Sequence, residues 1–335
     1  MNIVTHGVAI KRAVAEALTL GIVILAARSV AASPQSELTT EQVRQSVQSS
    51  IPFIQERGVW WIDEKKCVSC HRISTMVWSL NTARRNGFEV SDRLDEWINW
   101  ATESPLKKDA DGKAAGLLNK EGVAQLLIGL NRDANTVDSE LADLLLDGQQ
   151  PDGSWKPCGQ LPGQKRPLSE TAGVSTMWLT LALVNDGRTE QASPAVKLAT
   201  CFITESPAGK STEWYALQVL LAAQTGDSAS RDGYVDALRA QQQADGGWGW
   251  LVGEESDALG TGMALYALIR AGVNSEDPAI ERAQRFLVST QHDDGSWAVR
   301  GTKAGKKEHV EETASYWGTT WAALGLMASL SGKQD

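Results

Sequence analysis

Gln242-Gln-Ala-Asp-Gly-Gly-Trp248 decides the fold, because close copies stand at Gln149-Gln-Pro-Asp-Gly-Ser-Trp155 and Gln291-His-Asp-Asp-Gly-Ser-Trp297. A fourth glycine–tryptophan pair, Gly58-Val-Trp60, precedes them, and successive tryptophans of the four lie 95, 93 and 49 residues apart. Those spacings are two, two and one periods of about 47 residues. The phases without a tryptophan fall near residues 107 and 202. Both places carry one tetrapeptide, Thr102-Glu-Ser-Pro105 and Thr204-Glu-Ser-Pro207. The chain therefore holds six units, two of them with a different punctuation.

Each unit reads as helix, loop, helix. In the fifth, an amphipathic stretch containing Tyr234, Val235 and Leu238 ends at the signature, and an Ala-, Leu-, Gly- and Met-rich stretch runs from Ser256 to Ala271. The sixth repeats the pattern with Ala279 to Thr290, then Glu312 to Leu330. The first helix of a pair has one apolar stripe and the second is apolar nearly all round, which predicts an outer ring of first helices and a buried inner ring of second helices. Gly and Asp supply the loop chemistry, and no segment alternates with period two for the length of a strand. The expected fold is all-α: a single α/α toroid of six helical hairpins over residues 33–335.

Residues 1–32 read as a cleaved secretion signal, with an uncleaved anchor as the alternative. Lys11 and Arg12 precede the apolar run Leu18 to Ala27, and small residues follow at Ser29, Ala31 and Ala32. The run is shorter than the ~20 residues that span a bilayer, so no transmembrane span is expected after cleavage. Removing this segment takes away Lys11, Arg12, Arg28 and Glu16. That turns 32 basic and 41 acidic residues into 29 and 40, a net charge of −11. Such a chain is a poor partner for nucleic acid or anionic lipid. The expected location is secreted or periplasmic.

The three signatures resemble the QW motifs of squalene–hopene cyclases, whose ring fold is shared by protein prenyltransferase β-subunits. The resemblance covers roughly residues 40 to 331. It implies that Gln and Trp tie an outer helix end to its neighbour. An indole stacked on an amide plane would bury apolar area while both polar ends keep partners. The catalytic apparatus of these families does not carry over. Class II cyclases protonate an isoprenoid from Asp-x-Asp-Asp, and no such window occurs; Asp109-Ala-Asp111 and Asp293-Asp294 do not match. Prenyltransferases hold zinc through Asp, Cys and His, and the corresponding Asp257-Ala-Leu259 lacks the Cys.

Carboxylates recur at the starts of the inner helices: Glu121, Glu170, Glu213, Asp257 and Glu312. Two readings stand. They answer the positive helix N-terminus, as in Ser169-Glu170, Thr212-Glu213 and Ser256-Asp257. Alternatively, they encircle one mouth of a ligand cavity.

The first unit has Cys67-Val-Ser-Cys70-His71 where the others place an acid. This is the attachment signature of c-type haem: two thiols for the vinyl groups and the next imidazole for the iron. Export suits that cofactor. A disulfide or dithiol redox pair and a zinc site are the alternatives. Trp60-Trp61 before the motif and Ala83-Arg-Arg-Asn-Gly87 after it resemble exported bacterial proteins that combine CxxCH with cyclase-like repeats. A sixth iron ligand is not evident. Met76 sits on the helix of His71, and Met177, Met263 and Met327 are expected core residues. His292 and His309 lie in loops. Cys158 and Cys201 have the option of a disulfide in an oxidising compartment.

Three functions remain: a haem c redox or electron-transfer protein with a redox partner, an isoprenoid- or lipid-binding ring whose ligand is apolar, and an interaction scaffold.

Overall fold

Twelve α-helices alternate between two concentric rings in the computed structural model, which describes residues 38–66, 71–131, 136–159, 161–185 and 189–331. The expected signal segment, Cys67 and Cys70 lie outside the described residues. The outer helices are α1 (Thr40–Trp60), α3 (Leu94–Glu103), α5 (Thr136–Leu146), α7 (Thr189–Glu205), α9 (Ser228–Arg239) and α11 (Pro278–Thr290). The inner helices are α2 (His71–Arg85), α4 (Lys120–Leu130), α6 (Leu168–Asn185), α8 (Thr212–Thr225), α10 (Ala258–Arg270) and α12 (Glu312–Ser331). Among the described residues there is no strand, only isolated bridges within loops.

The inner ring is closed. Each of α2, α4, α6, α8, α10 and α12 packs on the next, and α12 packs back on α2. The outer helices lean on this cylinder, and α1 fills the seam by touching α2, α12 and α11. The sequence pattern explains the split. On α9 only Val235 and Leu238 are buried, and on α11 a stripe from Ala279 to Leu287. On α6 thirteen residues from Glu170 to Leu183 are buried, around the whole circumference. A helix without a polar face has to be covered on every side.

Glycine permits the tightest inner contact. A Cβ on Gly262 of α10 would lie 2.4 Å from the backbone carbon of Trp321 on α12, so nothing larger fits there. Glycine costs a helix interior roughly 0.5–1 kcal/mol relative to alanine, which packing of the two backbones offsets.

The QW loops divide their work differently from the expectation. The glutamine, not the tryptophan, bonds the neighbouring outer helix. Gln149 Nε2 donates to Gly153 O in its own loop (3.0 Å) and to Ala195 O on α7 (2.8 Å). Gln242 joins Gly246 O and Ala279 O on α11, both at 2.8 Å. Gln291 joins Gly295 O and Ser46 O on α1, both at 2.9 Å. The signature glycine then abuts the same helix one turn further on. A Cβ there would meet Leu198 O, Arg282 O or Ser49 O at 2.3, 2.6 and 1.9 Å. The tryptophan stays within its own hairpin. Its backbone N–H bonds a threonine of the inner helix: Trp155 to Thr176, Trp248 to Thr261, Trp297 to Thr319. The indoles of Trp248 and Trp297 donate to Leu238 O and Leu287 O of the outer helix, each at 2.8 Å.

The first unit departs from the repeat. Gly58 and Trp60 are the last turn of α1, not a loop, and Trp60 is 45% exposed. Gly58 is there because Met76 and Tyr316 press on it. The chain continues as a π-helical turn, Trp61–Lys65, closed by Lys66 in a left-handed conformation (φ 50°).

Candidate functional site

The inner helices run parallel, so their first turns share one end of the cylinder and their last turns the other. The five sequence-flagged acids lie at the first end. Three of them, Glu121, Glu170 and Glu213, are buried together on α4, α6 and α8. Glu213 is bracketed by Trp178 Nε1 at 2.8 Å and Arg166 Nη1 at 2.6 Å, an ion pair with both side chains out of solvent. Arg166 also reaches Ser211 Oγ (3.3 Å), which donates to Glu170 Oε1 at 2.6 Å. Ser175 Oγ donates to Glu121 Oε2 at 2.9 Å. Burial, helped by the nearby Glu213 carboxylate, pushes Glu121 up to about 8. It therefore keeps its proton at neutral pH.

The capping reading holds with a shifted register. Asp257 is itself the N-cap of α10, accepting from Gly260 N, and it accepts from Trp250 N as well, both at 2.8 Å. Its burial raises it to about 6 against the pull of those N–H groups. Ser211, not Thr212, caps α8, and Glu170 braces that cap from the neighbouring helix. Glu312 stands in the first turn of α12, as the capping reading expects, and makes a second contact as well. It is half exposed and grips Arg72 in a bidentate pair (2.7 and 2.5 Å), which lowers its pKa.

Arg72 bears on the CxxCH motif. Its buried guanidinium lies 4.4 Å from the Trp61 ring centre and 4.5 Å from that of Tyr316. His71 opens α2, so the residue after the imidazole is clamped to α12. Met76 is fully buried beside Gly58 and Tyr316, a core position. Met177, Met263 and Met327 are buried too, and His292 and His309 are exposed in the loops before α12. Cys158 is a half-buried free thiol, raised by burial, and Cys201 is free and exposed. Among the described residues no group of His, Cys, Asp and Glu is arranged to hold a metal ion.

The cavity opens at the other end. All six inner helices contribute their last turns to a space of about 860 Å³. None of the five acids lines it. Trp78, Trp178, Tyr266 and Trp321 form an edge-to-face and tilted cluster, with ring centres 5.2–6.1 Å apart. This aromatic plug separates the cavity from the buried acids, and Trp178 spans both through its bond to Glu213. Arg85 and Arg270 stand on the cavity wall with Asn86, Asn185 and Gln224. Sequence reading missed Arg72, Arg85, Arg166, Arg270 and the plug. One available signal was an arginine in an inner helix, which requires a partner.

A closed double ring of six hairpins, punctuated by QW-type loops, defines a cyclase-like α/α toroid. Comparison with known proteins agrees. Residues 223–335 match the squalene-hopene cyclase C-terminal domain. A probable squalene–hopene cyclase of Sinorhizobium fredii is 37% identical over 120 residues, 33% of this chain and 18% of that protein. A drimenyl diphosphate synthase of Streptomyces showdoensis is 39% identical over 70 residues, 21% of this chain and 13% of that one. The matched region thus spans less than a fifth of these relatives. Among solved structures, a possible GH105-family member from Salmonella enterica superposes with TM-score 0.58 at 13% identity, over 90% of this chain and 96% of that one. A variant of the type II terpene cyclase MstE from Scytonema, in complex with geranylgeranyl dihydroxybenzoate (substrate), gives 0.55 at 13% identity, over 88% and 99%. At such identities the likeness is one of fold.

Proposed function

We propose that this protein is an exported cyclase-like ring carrying one covalent haem c on its first hairpin, for redox or electron-transfer chemistry. The observation that carries the reading is Cys67-Val-Ser-Cys70-His71 standing where the other hairpins start their inner helices with acids. The donor set has the chemistry the group needs: two thiols for thioether bonds and one imidazole for iron. Once bound, haem would supply one-electron chemistry. The chain's own contribution is positional. Arg72, held by Glu312, Trp61 and Tyr316, anchors the first turn of α2. Exposed Trp60 leaves an aromatic surface just before the motif. Residues 1–32 support export, and no helix among the described residues is long and apolar enough to cross a membrane.

Protein matured with the cytochrome c assembly machinery tests this. The pyridine haemochrome should be that of a thioether-linked haem, and the cofactor should survive denaturing electrophoresis. Cys67→Ser with Cys70→Ser should abolish attachment, and His71→Ala should move the Soret band. Carbon monoxide should shift the spectrum of the reduced protein, since the described methionines and His292 and His309 are in the core or on exposed loops. Absence of haem, with two titratable thiols or a bound zinc, sinks the reading.

A second reading is favoured by the cavity. The fold is that of a cyclase solved with an isoprenoid-bearing substrate, and an aromatic floor with leucine walls suits an apolar chain. Extraction of lipid from the purified protein, followed by mass spectrometry, tests it.

A further inference from the structure

The cavity lies at the opposite end of the ring from the start of α2, so it is a site of its own. Its walls are Leu127 on α4, Leu181 on α6, Leu220 on α8 and Leu324 on α12, above the edges of Trp78 and Tyr266. Into this space α2 and α10 bring Arg85 and Arg270, beside the amides of Asn86, Asn185 and Gln224 and the buried carboxyl of Asp138 on α5.

Four other arginines of the ring are paired differently. Arg72, Arg84, Arg166 and Arg239 are each bonded to a carboxylate. Arg85 instead donates to two backbone carbonyls at the end of α4, Leu130 O (3.5 Å) and Asn131 O (2.9 Å). Arg270 makes no ion pair among the described residues. The two guanidiniums are close enough for Arg270 to depress the basicity of Arg85, together with the larger effect of burial. Two like charges on one cavity wall cost free energy that a bound anion offsets, and guanidinium forks match carboxylate and phosphate oxygens. The helix C-termini at this end carry partial negative charge and Asp138 adds an acidic group to the wall, so the positive charge of the site comes from the two arginines alone.

We propose that the cavity binds an anionic amphiphile: a hydrocarbon chain against the leucine walls and the Trp78–Tyr266 floor, with a terminal carboxylate or phosphate held by Arg85 and Arg270. This rests on the reading that the cavity is a ligand site, and it names the head group that reading leaves open. Volume agrees, since ligand cavities run from about 300 to 1,000 Å³.

Calorimetric titration of the full chain with dodecanoate, dodecyl phosphate and dodecanol, each below its micelle concentration, tests it. One or both anions should bind at least tenfold more tightly than the alcohol, and the preferred one identifies the head group as carboxylate or phosphate. Arg270→Gln should erase the preference while leaving dodecanol affinity unchanged, and Arg270→Lys should restore part of it. Arg270 is exposed at a helix end, so an unchanged melting temperature is the control for folding. Equal binding of alcohol and anions overturns the anionic assignment and leaves the cavity as an apolar site. Binding of none of the three overturns both. Anion preference that survives both Arg270→Gln and Arg85→Gln removes the head group from these residues.

Discussion

At Glu121 the ring holds a carboxyl that stays protonated in the folded chain up to about 8, while in the unfolded chain it ionises near 4.5, its ordinary value. Between those two pH values the folded state binds the extra proton, so stability from this group is complete below 4.5 and is lost as pH rises toward 8. Glu121→Gln keeps the shape and an acceptor for Ser175 but has no proton to lose. The variant should therefore melt higher than the parent at pH 8 and lose that advantage toward pH 4.5. The gap should grow by roughly 1 kcal/mol per pH unit across the interval. A constant gap between pH 5 and 8, followed by chemical denaturation, would contradict this account. The carboxyl itself was legible, since it recurs at inner helix starts. Its neighbourhood was not: Arg166 arrives from a loop 45 positions later in sequence, and Glu213 from α8.

The QW loop works by close backbone approach, and its parts can be separated. Gly246 has φ +91° and its missing Cβ would lie 2.6 Å from Arg282 O, whereas Gly87, at φ +74°, has nothing within 4 Å. Gly87→Ala should cost only the left-handed strain, about 1–2 kcal/mol. Gly246→Ala should cost that and the parting of two outer helices, and equal losses in thermal melts would refute the steric account. Gln291→Ala strips the donor from two carbonyls, Ser46 O and Gly295 O. About 1–3 kcal/mol is expected for each buried polar group left unsatisfied. Trp248→Ala should cost ~3–5 kcal/mol, as large buried aromatics do, without changing haem content per folded molecule. The tryptophan period revealed these loops because indole and glycine are rare enough to keep phase. It misplaced Gly58-Val-Trp60, where the same residue types serve a helix end pressed by Met76 and Tyr316. It also assigned the inter-hairpin tie to both Gln and Trp, since side-chain direction is not written in spacing.

Across the ring, twelve helices in six pairs were readable from periodicity, and the all-round apolar character of the stretches that form α10 and α12 pointed to the inner ring. The cavity's position was not readable. Acids marked one end of the cylinder, but four aromatic side chains from α2, α6, α10 and α12 plug the axis and leave the open space at the other. Which rings meet on an axis depends on helix rotation, a property of the assembled ring. Because the inner ring is continuous, loss of one member opens it. A chain stopped after Gln291 lacks α12, the partner of α10, α1 and α2. It should show no cooperative thermal transition, whereas the full ring should melt in one step by circular dichroism and tryptophan fluorescence alike.

Gln291 also bonds Ser46 across 245 residues, joining the last hairpin to the first. During synthesis α1 and its neighbour α2 leave the ribosome early, while α11 and α12, which also pack on α1, are the last helices to be made. For almost the entire time of translation the polypeptide has an unclosed seam and no finished core. A ring that stays open until its final helix is added completes its core only after the whole chain has been made. The latch that ends folding is therefore also what postpones it.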